Sequence, residues 1–195
     1  INPRLLLKAQ LEIFKRQGGY IFSDTVINLS VMKNSRFLLE TESGKTFSAT
    51  QVLVATGSFI NQFNILPQKL KIITKSEVVL LVEIEEKLLA QYNSLPSLLY
   101  EIDEDQVEGI YLIPPVKYPD GNYYLKIGAN SPDDLFFDNL EQIQEWFRNG
   151  ESEKYAPALC KALKKLLPAL NMENILTKKC VISRTATGRP YIGET

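Results

Sequence analysis

Histidine is absent from the 195 residues. That removes Ser-His-Asp and Cys-His catalysis, His-ligated zinc and HExxH chemistry. Cysteine is scarce, with Cys160 and Cys180 the only two, too far apart for a CxxC redox pair and too few for a four-cysteine metal site. Such thin usage fits a reducing compartment, so a cytoplasmic location is expected. Neither sign of charge dominates: 22 Lys and Arg stand against 23 Asp and Glu, for a net −1. A protein that neutralises many phosphates carries a basic surplus, so no nucleic-acid partner is expected. Long apolar runs are also missing. The longest, Val78 to Val82, falls far short of the roughly 20 residues of a membrane helix, and the opening residues lack a signal-peptide pattern, so none is expected. The first residue is Ile rather than Met, as in a processed or excised piece. What remains, 45% hydrophobic and 23% charged residues, is the composition of an ordinary soluble globular protein. Its side chains alone offer little reactivity, so chemistry here calls for a cofactor.

The elements are short and varied. Asn2 is a good helix N-cap, Pro3 suits the first helical position, and Gly18-Gly19 supply a stop, which predicts a helix between them. Lys8, Glu12 and Lys15 share one face and Leu6, Leu7, Ile13 and Phe14 leave a broad apolar side, so this helix is expected to pack on a neighbour. Strands are predicted at Tyr20–Ser23, Val26–Lys33, Arg36–Glu42 and Thr46–Ser48. The apolar stretch Gln51 to Gly57 ends on a glycine and reads as a strand buried on both faces, as in the parallel part of a layered α/β sheet. Composition shifts at Ile65-Leu66-Pro67-Gln68, after which Leu70 to Ile84 is rich in β-branched residues and reads as a strand. A short helix at Glu85–Tyr92 and strands at Leu98–Ile102 and Gly109–Lys117 follow. Tyr118-Pro119-Asp120-Gly121-Asn122 is the clearest hairpin signal, with Tyr123–Ala129 returning, because Asp-Gly readily supplies the positive φ of a tight turn. Helices are predicted at Asn139–Arg148 and Glu153–Leu167, the second striped by Leu159, Leu163 and Leu166, and a last strand at Lys178–Arg184. Lys161, Lys164 and Lys165 read as a solvated face. The acidic groups Asp103-Glu104-Asp105 and Asp133-Asp134 lack the spacing of a calcium loop and read as solvated turns, so no metal is expected.

Three stretches in order carry a family likeness. The first runs from Asn2-Pro3 through Gly18-Gly19, the Val26 strand and the Gly44 turn to Val54-Ala55-Thr56-Gly57. The second is Gly109-Ile110-Tyr111-Leu112-Ile113-Pro114-Pro115 with Tyr124-Leu125-Lys126-Ile127-Gly128. The third is Lys179-Cys180-Val181-Ile182-Ser183-Arg184-Thr185 with Gly188-Arg189-Pro190-Tyr191-Ile192-Gly193. Together they resemble the FAD-dependent amine oxidoreductases of the D-amino-acid oxidase superfamily, especially the sarcosine oxidase and glycine oxidase branch. Members begin with a strand and a GxGxxG loop that cradles the pyrophosphate, and neither is present here. The chain therefore resembles the middle and late portion of such an enzyme. The remainder of the polypeptide would be its partner, and this portion alone would be inactive.

The resemblance implies specific roles. Lys126 matches a lysine that faces the flavin ring and assists the reaction of reduced flavin with oxygen, where a fixed cation stabilises developing negative charge. A strand lysine turned to water is the alternative. Cys180 matches the position of covalent flavin attachment in sarcosine oxidases. Lys178 and Lys179 beside it would favour the reactive thiolate, whereas a small buried hydrophobe is the plainer reading. Val26, Ala55, Thr56 and Gly57 match positions along the adenosine half of FAD, where small residues let the main chain approach the cofactor. A tight turn out of a strand explains them equally. Leu112 matches a wall of the substrate cavity, or is simply core. Asn130 stands on the substrate side, where the family often has histidine. Arg184 and Arg189 are candidates for a substrate carboxylate or are surface arginines. Cys160 reads as packing.

The fold expected is α+β, a mixed α/β chain. An incomplete FAD-binding layered domain (1–64, with a return at 181–195) accompanies an antiparallel-sheet substrate domain with packed helices (65–180). The function implied by the resemblance is FAD-dependent oxidation of the C–N bond of a small-molecule amine or amino acid. A non-catalytic binding module or an inactive fragment on the same scaffold is the alternative.

Overall fold

A computed structural model of the chain describes residues 2–104 and 106–194. The side chains of the acidic run at 103–105 lie outside the described residues. The chain divides into two compact units, one ending at Leu70 and the other Lys71–Glu194.

In the first unit, helix α1 (Pro3–Arg16) starts where its cap dictates: Asn2 Oδ1 accepts from the amides of Arg4 at 3.0 Å and Leu5 at 3.4 Å. That satisfies two of the amides a helix start leaves orphaned. The expectation that its apolar side is buried is not met, since no residue of α1 is buried and Leu5 is 65% exposed. The cap and the spacing of charges mark the helix, and its apolar side stays largely open among the described residues. Strands β1 (Val26–Val31), β2 (Phe37–Thr41) and β3 (Thr46–Ala49) form an antiparallel meander in that order. Asn64 ties the following segment to it, bridging in parallel to Asn28 and donating from Nδ2 to Asn28 Oδ1 at 2.6 Å.

Two predicted strands of this unit are absent. Tyr20–Ser23 is irregular, with Tyr20 83% exposed. Gln51–Gly57 joins no sheet and ends in the 3₁₀ turn that Gly57 opens, and Leu53 is 93% exposed. A strand exists by pairing its amides and carbonyls with a neighbour. Apolar composition alone cannot supply that neighbour, and none of the described strands of this unit pairs with the segment.

The second unit is built on β4 (Ile72–Ile84), a 13-residue strand paired along both edges. The chain then runs through a short helix α2 (Leu89–Tyr92), β5 (Leu98–Glu104), β6 (Val107–Lys117) and β7 (Tyr123–Asn130). Beyond β7 come the two-residue β8 (Phe136–Phe137), α3 (Leu140–Asn149), α4 (Ala156–Leu166) and β9 (Ile175–Thr185). Spatially the sheet is β5-β6-β7-β4, with β8 extending the β7 side and β9 on the other edge of β4. Every pairing is antiparallel. The hairpin after β6 closes as its Asp-Gly predicts, with Gly121 at φ 93° and the Tyr118 amide bonded to Asn122 O at 2.9 Å.

The core lies between one sheet face and the helices. Leu80, Val82, Leu125 and Ile127 meet Ile143, Trp146, Leu159 and Leu163 there, with Leu80, Leu125 and Leu163 wholly excluded from solvent. Asn139 caps α3, accepting the Gln142 amide at 3.0 Å. Cys160 packs against this core, as its leucine-striped helix implies. Asp134 departs from the solvated turn expected of it. It is buried and ion-paired with buried Lys75, and it also accepts the Ser131 amide. A buried pair costs far more to break than to have. Substituting Lys75→Met should therefore destabilise the second unit by about 3–5 kcal/mol, and Lys75→Met/Asp134→Leu should recover part of that loss. Urea unfolding read from Trp146 fluorescence checks this; a single variant within about 0.5 kcal/mol of the parent would sink it.

Candidate active-site face

Register divides the second unit's strands into two faces, because opposed residues point the same way and successive residues point opposite ways. Val78, Leu80 and Val82 of β4 face the helices, whereas Val79 and Leu81 form a second, smaller cluster with Tyr124. No helix residue belongs to that second cluster among the described residues. Across the ladders, Leu81 opposes Lys126, Val79 opposes Gly128, Glu77 opposes Cys180, and Gly128 opposes Tyr111. Lys126 and Cys180, drawn from sequence stretches over fifty residues apart, thus stand on one face with Tyr111 and Glu77.

These groups touch. The Tyr111 hydroxyl donates to Glu77 Oε1 at 2.9 Å. The Lys126 ammonium stands 5.3 Å from the centre of the Tyr111 ring, within reach of a cation–π attraction. Gly128 makes the arrangement possible: a Cβ there would stand 2.5 Å from Tyr111 Cζ, so only glycine lets the ring lie across β7. Burial, then the Glu77 carboxylate, push the Tyr111 phenol far above its ordinary value. Burial and then Glu77 also raise the Cys180 thiol, against a smaller opposing pull from Lys126. None of the recorded ion pairs among the described residues engages Lys126. Farther along, Arg184 donates from Nη2 to Asn130 Oδ1 at 2.6 Å.

The remaining sequence candidates sit elsewhere. Leu112 is 4% exposed in the helix-side core, whereas its neighbours Tyr111 and Ile113 stand on the face of Lys126, Ile113 as its direct partner in the ladder. Lys179 turns to the helix side, donating to Gly150 O at 3.1 Å and lying over Trp146. It therefore does not flank the Cys180 sulfur, while Lys178 shares the Cys180 face but is exposed. Val26 and Ala55-Thr56-Gly57 belong to the first unit. Val26 opens β1, half-buried, and the other three are exposed, leading into a single 3₁₀ turn. Arg189 is exposed. Two cavities of about 60 and 50 Å³ lie off this face, one beside Leu88 and Leu170, the other beside Ala129 and Tyr155. Both are far below the roughly 300–1,000 Å³ of a ligand pocket. Among the described residues no group of three or more acidic or cysteine side chains is placed to hold a metal ion, and no helix is long and apolar enough to cross a membrane.

Comparison with known families matches residues 1–195 to the family described as FAD dependent oxidoreductase (DAO). No curated protein matches the chain. Among solved structures it is similar to a thermally stable mutant of fructosyl peptide oxidase, with a TM-score of 0.55 and 14% identity. That likeness covers 83% of this chain and 39% of the other, so the chain spans well under half the length of that oxidase. It is also similar to a proposed FAD containing monooxygenase from Photorhabdus luminescens subsp. laumondii TTO1, with a TM-score of 0.46, 12% identity, and coverage of 86% and 48%. That likeness shows the fold: this chain is mixed α/β, with antiparallel sheets and four α-helices among the described residues.

The close fit of Tyr111 over Gly128 gives a direct test. Gly128→Ala should lift the ring off β7, break its bond to Glu77 and cost about 1–3 kcal/mol. Freed of burial and of the carboxylate, the phenol should titrate lower, toward the ordinary value of about 10. Carbon NMR of labelled tyrosines follows this; a Tyr111 titration unmoved in the variant would show that the ring does not depend on the glycine.

Proposed function

Because this chain belongs to the family of FAD-dependent oxidoreductases, we propose that it is the portion of a flavoenzyme that turns the Lys126–Cys180 face toward the flavin ring, in an enzyme oxidising the C–N bond of a small amine or amino acid. The sarcosine oxidase and glycine oxidase branch is the nearer relation proposed, on the strength of Lys126 and Cys180 in their motifs. One observation carries the reading: Lys126 and Cys180 stand on the same sheet face, the face its helices leave bare.

The residues suit the cofactor. A strand surface with an aromatic ring, a glycine and an ammonium 5.3 Å from the centre of that ring offers both a platform and a charge. When bound, FAD supplies the acceptor for a hydride from the carbon beside the substrate nitrogen. Lys126 would set a fixed positive charge beside the bound flavin, where reduction of oxygen develops negative charge. Arg184 spends one guanidinium donor on Asn130 and keeps the others for a substrate carboxylate, with Asn130 fixing its direction. In the first unit, Val26 and Ala55-Thr56-Gly57 keep the cofactor-side role that the resemblance assigns them. The boundaries 1–64, 65–180 and 181–195 remain the proposed division between cofactor and substrate portions. The sparse cysteine content supports a cytoplasmic setting.

In an enzyme carrying this chain, Lys126→Met should slow reoxidation by oxygen by about 10²–10³-fold, the loss typical of one preorganised charge partner. Anaerobic reduction by the substrate should stay within a few-fold. Stopped-flow absorbance separates the two half-reactions, with peroxide release over a panel of amines and amino acids identifying the substrate. Equal loss in both, or in neither, would count against the role given to Lys126.

A further inference from the structure

Cys180 stands opposite a carboxylate. Glu77 is its direct partner in the β4–β9 ladder, and such partners have side chains that meet, with Cβ atoms about 4.5–5.5 Å apart. Glu77 is only 9% exposed, and the Tyr111 hydroxyl holds it in place. A fixed, buried negative charge acts on its neighbour with little screening.

The cations around Cys180 are weaker claimants. Lys126 is in register with Leu81, farther along β4, and leans on the Tyr111 ring. Lys178, on Cys180's own strand, is exposed to water. Lys179 points to the helix side, Lys75 is ion-paired with Asp134, and Arg184 is exposed and in register with Ile73, four residues along β9 from Cys180. Tyr118 completes the groups packed around the cluster.

We propose that Glu77 fixes Cys180 as an unreactive thiol, so that a flavin on this face is held without a bond to the sulfur. Only the last clause rests on the function proposed above; the state of the thiol is a property of this chain by itself. The thiolate is the attacking species in every reaction of cysteine, including attachment to an electrophilic ring. Half-burial of the thiol opposes its formation most, and Glu77, set across the ladder, adds to that by its charge. Tyr111 is the anchor that keeps Glu77 aimed, which makes Glu77 a tuning residue acting through Cys180 and not a catalytic one.

The test is the pH dependence of iodoacetamide alkylation at Cys180, followed by mass spectrometry in the whole chain carrying Cys160→Ala. The parent should show a midpoint above the ordinary value of about 8.5. Glu77→Gln keeps the shape and the bond from Tyr111 but not the charge. It should lower the midpoint and speed alkylation near neutral pH by about fivefold, with part of the gain in thiolate offset by its weaker nucleophilicity. Lys126→Met should do the reverse, raising the midpoint and slowing the reaction. Loss of structure can only expose the sulfur and speed its modification, so the slowing is a readout that misfolding cannot imitate. A parent midpoint at or below the ordinary value, an unmoved midpoint in Glu77→Gln, or faster alkylation in Lys126→Met each overturns the proposal.

Discussion

The rest of the second unit depends on the alternation of side chains along β4. The strand is paired on one edge with β7 and on the other with β9, so each of its residues is committed to one face for three strands at once. Val78, Leu80 and Val82 go to the helices and build the stable core. Glu77, Val79 and Leu81 go to the opposite side and set the spacing of the functional groups. A slip of one residue in either ladder would exchange the two sets, burying charges under α3 and α4 and exposing leucines. The same register that stabilises the sheet therefore keeps Lys126, Tyr111, Glu77 and Cys180 together.

Electrostatics on that face is a contest settled by distance and burial. Glu77 and Lys126 act on Cys180 in opposite senses, and the carboxylate prevails because the ladder sets it directly opposite the sulfur. Tyr111 serves both sides, donating its hydroxyl to Glu77 and offering its ring to Lys126. Burying a carboxylate without a donor would be costly, and the phenol supplies that donor to Glu77. The ion pair of Lys75 with Asp134 solves the same problem two residues earlier on β4, by charge pairing instead of by a neutral donor.

Much of the fold was legible because its signals are local. The Asn2 cap, the Asp120-Gly121 turn and the leucine stripe of α4 each carry their instruction within a few residues. Gln51–Gly57 was misread because its apolarity says that burial would be favourable and nothing about whether a neighbouring strand exists. The site was half legible. Lys126 and Cys180 could be chosen by motif, but Leu112 and Tyr111 are adjacent, and which of them shares a face with Lys126 depends on register. Bulges in the β6–β7 pairing, between Glu108 and Ile110 and between Ile113 and Val116, keep that register out of reach of simple counting. Glu77 did leave a trace, as the carboxylate immediately before the apolar run Val78 to Val82. Asp134 left none, since its partner Lys75 is 59 residues away.

The two faces also explain how such a scaffold accommodates change. The helix-side core is close-packed, and each methylene there is felt in stability. The opposite face draws its order from a few polar contacts laid over Gly128, so its chemistry can be retuned by single charges without disturbing the core. Glu77 illustrates the point. Removing its charge alters neither the volume of the face nor the acceptor for Tyr111, yet it changes the field on the neighbouring sulfur. A cysteine at this position therefore does not by itself specify a reactive thiol. Its burial and the residue across the ladder both bear on its reactivity, and in this chain that residue is an acid.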